Sequence, residues 1–254
     1  MAGVRTRREA LIVTVALGAT ALAGCGTTPP ILPDATPGKG TAATAPADPW
    51  GQLAGRVAAA RDNRYVAAYT LQTRGRPART VTVTIATDGS WLVAVPGGAL
   101  GGAADIAIAD TKAGLYQCAL GPPANCVRVA NPDGALPSRT DPRVHHLFTD
   151  WLGALGNRDA ALSVAAAAPL PGSRGQCFSI EPNSAALTPP VDPGVYCFDE
   201  KGTLTAAALT FGALTLSSAL APAPPTVALP GPVVPGTPLG TAAPPSPSAS
   251  ASAR

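Results

Sequence analysis

The stretch RTVTVTIATDGSWLVAV, residues 79–95, decides the fold. Val81, Val83 and Ile85 alternate with Thr80, Thr82 and Thr84, so an extended backbone puts every apolar side chain on one face and every hydroxyl on the other. Asp88-Gly89 supplies the positive-φ residues that a tight hairpin turn requires, and Trp91 to Val95 returns as the partner strand. Working outward, Tyr65 to Thr73 reads as a preceding strand that turns at Arg74-Gly75-Arg76-Pro77. Further strand-like runs follow near 104–109, 115–120, 126–130, 161–166, 176–181, 194–199, 203–210 and 213–219, with Glu200-Lys201-Gly202 and Phe211-Gly212 as turns. The total is about eleven strands, mostly in hairpin order. A sheet of more than about ten strands curls rather than staying flat.

Two helical patterns accompany the strands. Asp48-Pro49 makes an N-cap and first-turn pair, and Trp50, Leu53, Val57 and Ala60 then recur at helical spacing to about Arg61. A second helix is expected from a Thr140 or Asp141 cap and Pro142, with Val144, Leu147, Trp151 and Leu155 on one face and Gly156 at the end. The expected fold class is mainly β with two or more helices (α+β): a curved antiparallel half-barrel sheet of about eleven strands with a helix at the concave face. Residue types are compatible with either a packed core or an open cavity on that face.

The flanks differ in kind from this domain. Arg5, Arg7 and Arg8 precede an apolar run from Leu11 to Leu22 that is short for a membrane span, as in a cleaved signal. It ends in Leu22-Ala23-Gly24-Cys25, a sequence that resembles the lipobox of bacterial lipoproteins, which implies cleavage before Cys25 and a diacylglycerol thioether plus a fatty acyl chain such as palmitate. The order expected is a signal peptide (1–24), a flexible Thr/Pro/Ala-rich tether (25–47), one β domain (48–220) and a disordered Pro/Ala/Ser-rich tail (221–254). The tail holds ten prolines and no aromatic residue, whereas every Trp, Tyr and Phe falls between 50 and 211. The expected location is the extracytoplasmic face of the cell membrane, held by the N-terminal lipid.

Four further cysteines, 118, 126, 177 and 197, form an even set in an exported chain and allow three connectivities. Cys118–Cys126 and Cys177–Cys197 are favoured, because the first pair brackets the turn Gly121-Pro122-Pro123-Ala124-Asn125 and each cysteine sits in a strand-like run. A zinc site is disfavoured without Cys-x-x-Cys, and no metal or cofactor is expected. Two bridges favour export of an unfolded chain over a twin-arginine route, which Arg7-Arg8 only weakly suggests.

Fifteen arginines against three lysines, with abundant Ala, Gly and Pro, are the codon bias of a GC-rich, actinobacterial-type genome. Removing the signal subtracts three basic residues and one acidic residue, taking the net charge from +3 to +1, which gives no general reason to bind nucleic acid. Locally, residues 56–79 carry six arginines against Asp62 alone, an end that could face anionic headgroups.

The lipobox, the leading helix, the meandering strands, the central helix and the closing strand pairs together resemble the LolA-type fold, nearest the mycobacterial LppX and LprG lipid-carrier lipoproteins. The resemblance covers about residues 48–220 and rests on order and spacing. It implies a hydrophobic cavity that shields the acyl chains of a lipid or acylated ligand. The lining expected for such a cavity is Val81, Val83, Ile85, Trp91, Val93, Ile106 and Ile108, closed over by Val144, Leu147 and Trp151. The other reading is an envelope interaction or sensor lipoprotein with a filled core, whose surface and tail meet a cell-wall polymer or envelope protein. No catalytic residue is expected. There is no Gly-x-Ser-x-Gly and no His-Glu-x-x-His, and the glycine-rich run at 96–102 reads as a mobile loop rather than a phosphate loop. His145 and His146 would diverge by about a hundred degrees on a helix, leaving His146–Asp150 as a surface pair.

Overall fold

The computed structural model describes residues 48–187 and 190–244. The expected signal peptide, Cys25 and the tether lie outside the described residues, as do positions 245–254. Among the described residues no helix is long and apolar enough to cross a membrane.

Helix α1 (Pro49–Asp62) leads into β1 (Tyr65–Gln72), β2 (Arg79–Ile85), β3 (Trp91–Ala99), β4 (Ala104–Thr111), β5 (Gly114–Ala119) and β6 (Asn125–Ala130). A connection containing short 3-10 turns and α2 (Trp151–Gly156) then precedes β7 (Leu162–Ala167), β8 (Gln176–Pro182), β9 (Gly194–Phe198), β10 (Leu204–Leu209) and β11 (Gly212–Leu216). The eleven strands form one antiparallel sheet in the order β6-β5-β4-β3-β2-β1-β11-β10-β9-β8-β7. Two meanders therefore meet at the β1–β11 seam, where Tyr69 opposes Leu216. In β2 the expected alternation holds: Val81 and Val83 are fully buried, while Thr80, Thr82 and Thr84 are not.

One face of the sheet, the inner face, is covered by α1, the connection and α2. Leu53 and Val57 of α1, Trp151 and Leu155 of α2, Val83 of β2 and Tyr196 of β9 belong to a single buried cluster. Five strand spacings of about 4.8 Å separate β3 from β9 in the sheet order. Aromatic contacts nevertheless bridge them over helical segments, so the sheet wraps its cover. Gly202, at positive φ in the β9–β10 turn, lets α1 approach: a Cβ there would collide with the Arg56 carbonyl and the Ala60 amide.

The disulfides join Cys118 to Cys126 and Cys177 to Cys197, the favoured connectivity among the three. Each links directly opposite residues, across β5–β6 and across β8–β9.

Three expectations need correction. First, the second helix is interrupted. The Asp141 carboxylate accepts the Arg143 amide at 2.7 Å, and Arg143 adopts φ +63°, so a side-chain-closed turn displaces the helical first turn. A 3-10 turn over Val144–Phe148 follows, and regular helix begins only at Trp151. The apolar positions still point inward: Val144, Leu147, Trp151 and Leu155 are all buried.

Second, residues 221–244 of the expected disordered tail are laid along the domain as a strap. Ala221 bridges Val66 across β1, the Thr87 and Asp88 amides donate to the Pro224 and Pro225 carbonyls, and Val233 forms a parallel bridge with Cys126 on the β6 edge. The strap then crosses to the inner side, where Gln117 bonds both backbone groups of Leu239 and the Leu100 and Gly101 amides donate to the carbonyls of Gly240 and Thr241. Proline lacks the amide donor but keeps its carbonyl, and the strap uses those carbonyls as acceptors.

Third, the glycine-rich run at 96–102 is tied down. Arg79 donates to the Pro96 and Gly97 carbonyls, Arg76 to that of Gly101, and the Gly97 amide donates to Asp105.

Candidate functional site

Val81, Val83, Val93, Val144, Leu147 and Trp151 are buried in the main cluster, with Ile85 and Trp91 half-buried against it. Ile106 and Ile108 fall in a neighbouring cluster with Ala99 and Leu115, closed by Leu136 and by Leu239 of the strap. The structure thus brings eight of the ten expected lining residues together and sets two apart. Their side chains pack against one another and against Tyr69, Phe148, Phe178 and Tyr196. The gap left beneath α1 is about 40 Å³, bordered by Tyr65, Leu147, Phe148 and Phe198, room for a few water molecules. A crevice of about 180 Å³ runs between Leu71, Arg79, Val95, Asp141, Arg143 and Phe211. A depression of about 540 Å³ lies outside this wall, on the turns at 73–74 and 208–213.

The inner face also holds a polar centre that the helical reading of 140–156 hides. Because Val144–Phe148 is a 3-10 turn rather than α-helix, the His145 and His146 rings lie 4.0 Å apart, centroid to centroid. They form the middle of a file of rings. Trp91 of β3 stacks on His145 at 5.5 Å, His146 stacks on Trp151 at 5.2 Å, and Trp151 meets Tyr196 of β9 edge-on at 6.4 Å. Both meanders therefore position the two imidazoles.

His146 donates from Nδ1 to Asp150 at 2.6 Å and from Nε2 to Asp141 at 2.7 Å. Burial alone would lower its pKa, but the two carboxylate hydrogen bonds outweigh it and push His146 up to about 9. His145 goes the other way: burial first, then the adjacent His146 charge, holds it neutral. Its Nδ1 lies 3.6 Å from Asp141 and has no hydrogen-bond partner. Asp141 ends below its ordinary value: burial would raise it, but the bond from His146, the His146 charge and the Arg143 amide overcome that. Arg143 pairs with Asp192 and sits over the Trp151 ring at 6.0 Å. The expected His146–Asp150 pair is thus present, but as part of a larger cluster with Asp141 and His145.

The arginine-rich stretch does not gather into one patch. Arg61 and Arg64 stand at the start of β1, and Arg74, Arg76 and Arg79 at its far end, some seven residues of extended chain or about 23 Å away. Among the described residues the ion pairs are those of Arg143, Arg158 and the histidines, so the arginines of 56–79 take no acidic partner.

No protein-family model matches the chain, and no curated protein matches it.

Proposed function

We propose that the chain is a non-enzymatic lipoprotein of the cell envelope, anchored through acylated Cys25, with a LolA-like architecture whose core is filled by its own side chains. On this reading it is an interaction or sensor module that meets its partners through its surface, not a carrier that swallows acyl chains. The observation that carries this is Trp151. It is fully buried between the two meanders, with Leu147, Val144 and Phe148 beside it, where a carrier would leave space. Ligand cavities usually measure about 300–1,000 Å³, several times the gap beneath α1. Carriage of a lipid would require residues 138–156 to lift as a unit, breaking the ring file and the Arg143–Asp192 pair. The anchor is supported by Leu22-Ala23-Gly24-Cys25 and the basic and apolar segments before it.

Native mass spectrometry of the mature lipidated chain purified from its own host tests the reading. The expected mass is polypeptide plus anchor. A second, stoichiometric lipid released on activation would overturn the filled-core reading in favour of carriage.

A further inference from the structure

We propose that Asp141, His145 and His146 form a binding site for a divalent transition cation of the zinc type, with Asp150 orienting the second histidine. This inference is independent of the filled-core reading, since the cluster would bind a cation whether or not the interior admits a lipid.

The donor set comes first. One ring nitrogen from each of His145 and His146 and a carboxylate oxygen of Asp141 lie within 4.8 Å of one another, and the Asp141 carboxylate is 3.6 Å from His145 Nδ1 and 2.7 Å from His146 Nε2. Two imidazoles and one carboxylate suit borderline cations such as Zn²⁺ and Cu²⁺, whereas Mg²⁺ and Ca²⁺ select oxygen-only sets. Bonds of about 2.0–2.2 Å from a central ion to each donor require donor separations near those present, with small ring movements.

A second observation, an unpartnered buried nitrogen, also points to a cation. His145 Nδ1 is buried, faces Asp141 at a distance too long for a hydrogen bond, and has no other partner. Buried polar atoms are nearly always satisfied, and an ion held by the Asp141 carboxylate would give this nitrogen its partner.

The surroundings match those of metal-bound imidazoles. His146 offers Nε2 to the site while Nδ1 is bonded to the Asp150 carboxylate, which the Thr149 hydroxyl supports in turn at 3.0 Å. This is the outer carboxylate partner that fixes the ring and raises its basicity. Trp91 and Trp151 hold the two imidazoles from either side, so the site needs little ordering on binding. Asp141, Asp150 and Asp192 oppose Arg143 alone, a local charge of −2 that a dication balances when both histidines are neutral. Binding replaces the proton that His146 Nε2 shares with Asp141 and releases it to solvent. The crevice that Asp141 lines provides access, and three protein donors leave a coordination position for water or a partner's side chain.

The chain holds two histidines, which makes the test direct. The untagged full mature chain, with Cys25→Ser to remove the free thiol, is stripped with chelator and titrated with ZnCl₂. Calorimetry should report one Zn²⁺ per chain. Long-range proton–nitrogen spectra should shift both rings together, at Nδ1 of His145 and Nε2 of His146. Asp150→Asn keeps all three donors and should weaken binding about 10–100-fold. Asp141→Asn should abolish it, and Co²⁺ in place of Zn²⁺ should give visible absorption that both variants reduce. No binding by the wild-type chain, a shift of one ring only, or unchanged affinity in Asp150→Asn and Asp141→Asn would each overturn the site. Because the wild-type spectra need no variant, a misfolded mutant cannot obscure the answer.

Discussion

The two outer arms of the sheet solve the same problem differently. Each carries a disulfide between opposite residues: Cys118–Cys126 across the terminal β5–β6 hairpin, and Cys177–Cys197 across β8–β9, one strand in from the β7 edge. In the first arm, β4 and β5 are buried on both faces, because the strap lays Leu229 over Ala107, Tyr116 and the disulfide. In the second arm β7 stays exposed at Ser163, Ala165 and Ala166, and the disulfide is covered by Ala167, Leu170 and Val195. An edge strand exposes unpaired amides and carbonyls that invite pairing with another chain. The strap occupies that edge at β6, whereas β7 simply ends the sheet. One arm is thus stabilised by a distant part of the chain, the other by its own neighbours.

The largest effect should come where the arms are joined. Trp151→Ala removes the ring that links His146 to Tyr196 and should cost about 3–5 kcal/mol in denaturant unfolding, with amide protection lost in both arms together. Ending the chain after Leu220 should cost about 3–4 kcal/mol through lost burial of Val227, Leu229 and Leu239. Here hydrogen exchange should accelerate in β4–β6 and leave β8–β10 protected. Equal loss in both arms would break the comparison.

Disulfide removal sharpens it. Loop-closure entropy assigns about 2.5 kcal/mol to Cys118–Cys126 and about 3.3 kcal/mol to Cys177–Cys197, from sequence separations of 8 and 20. Paired Cys→Ala variants of each bridge, compared by thermal unfolding, should follow that order. A reversal would mean that the strap depends on the first bridge for its seat. The smallest effect is local. Gly231→Ala places a Cβ against the Ala124 carbonyl and should cost about 1–3 kcal/mol, whereas Gly121→Ala, with open space around it, should stay within about 0.5 kcal/mol.

The strands and the disulfides were legible because their signals are local. Val81, Val83 and Ile85 declare a face by alternation, and Cys118 and Cys126 bracket a turn. The strap was not, because its contacts are backbone carbonyls of prolines and scattered single side chains such as Leu229 and Leu239, which leave no periodicity. Its one sequence trace is on the partner: Ala107 and Ala109 in β4 and Cys118 in β5 are apolar on the face that alternation would leave wet. The polar centre was hidden by a wrong period. Val144, Leu147, Trp151 and Leu155 fit a helix, but the Asp141 carboxylate captures the Arg143 amide and tightens the turn that follows, so two histidines assigned divergent directions face each other. An Asp two residues before a competing amide was the available clue.

The β1–β11 seam has a consequence for how the molecule is made. Strand β1, among the earliest segments to emerge, finds its second neighbour only when residues near 216 have arrived, and the sheet edge at β6 waits longer still for the strap. Contacts so distant in sequence fold slowly and late. A chain interrupted before Leu216 would leave the seam open, and one interrupted between Leu216 and Val233 would close the seam but leave the β6 edge bare, so the sheet is completed in two steps, each waiting on a separate late segment.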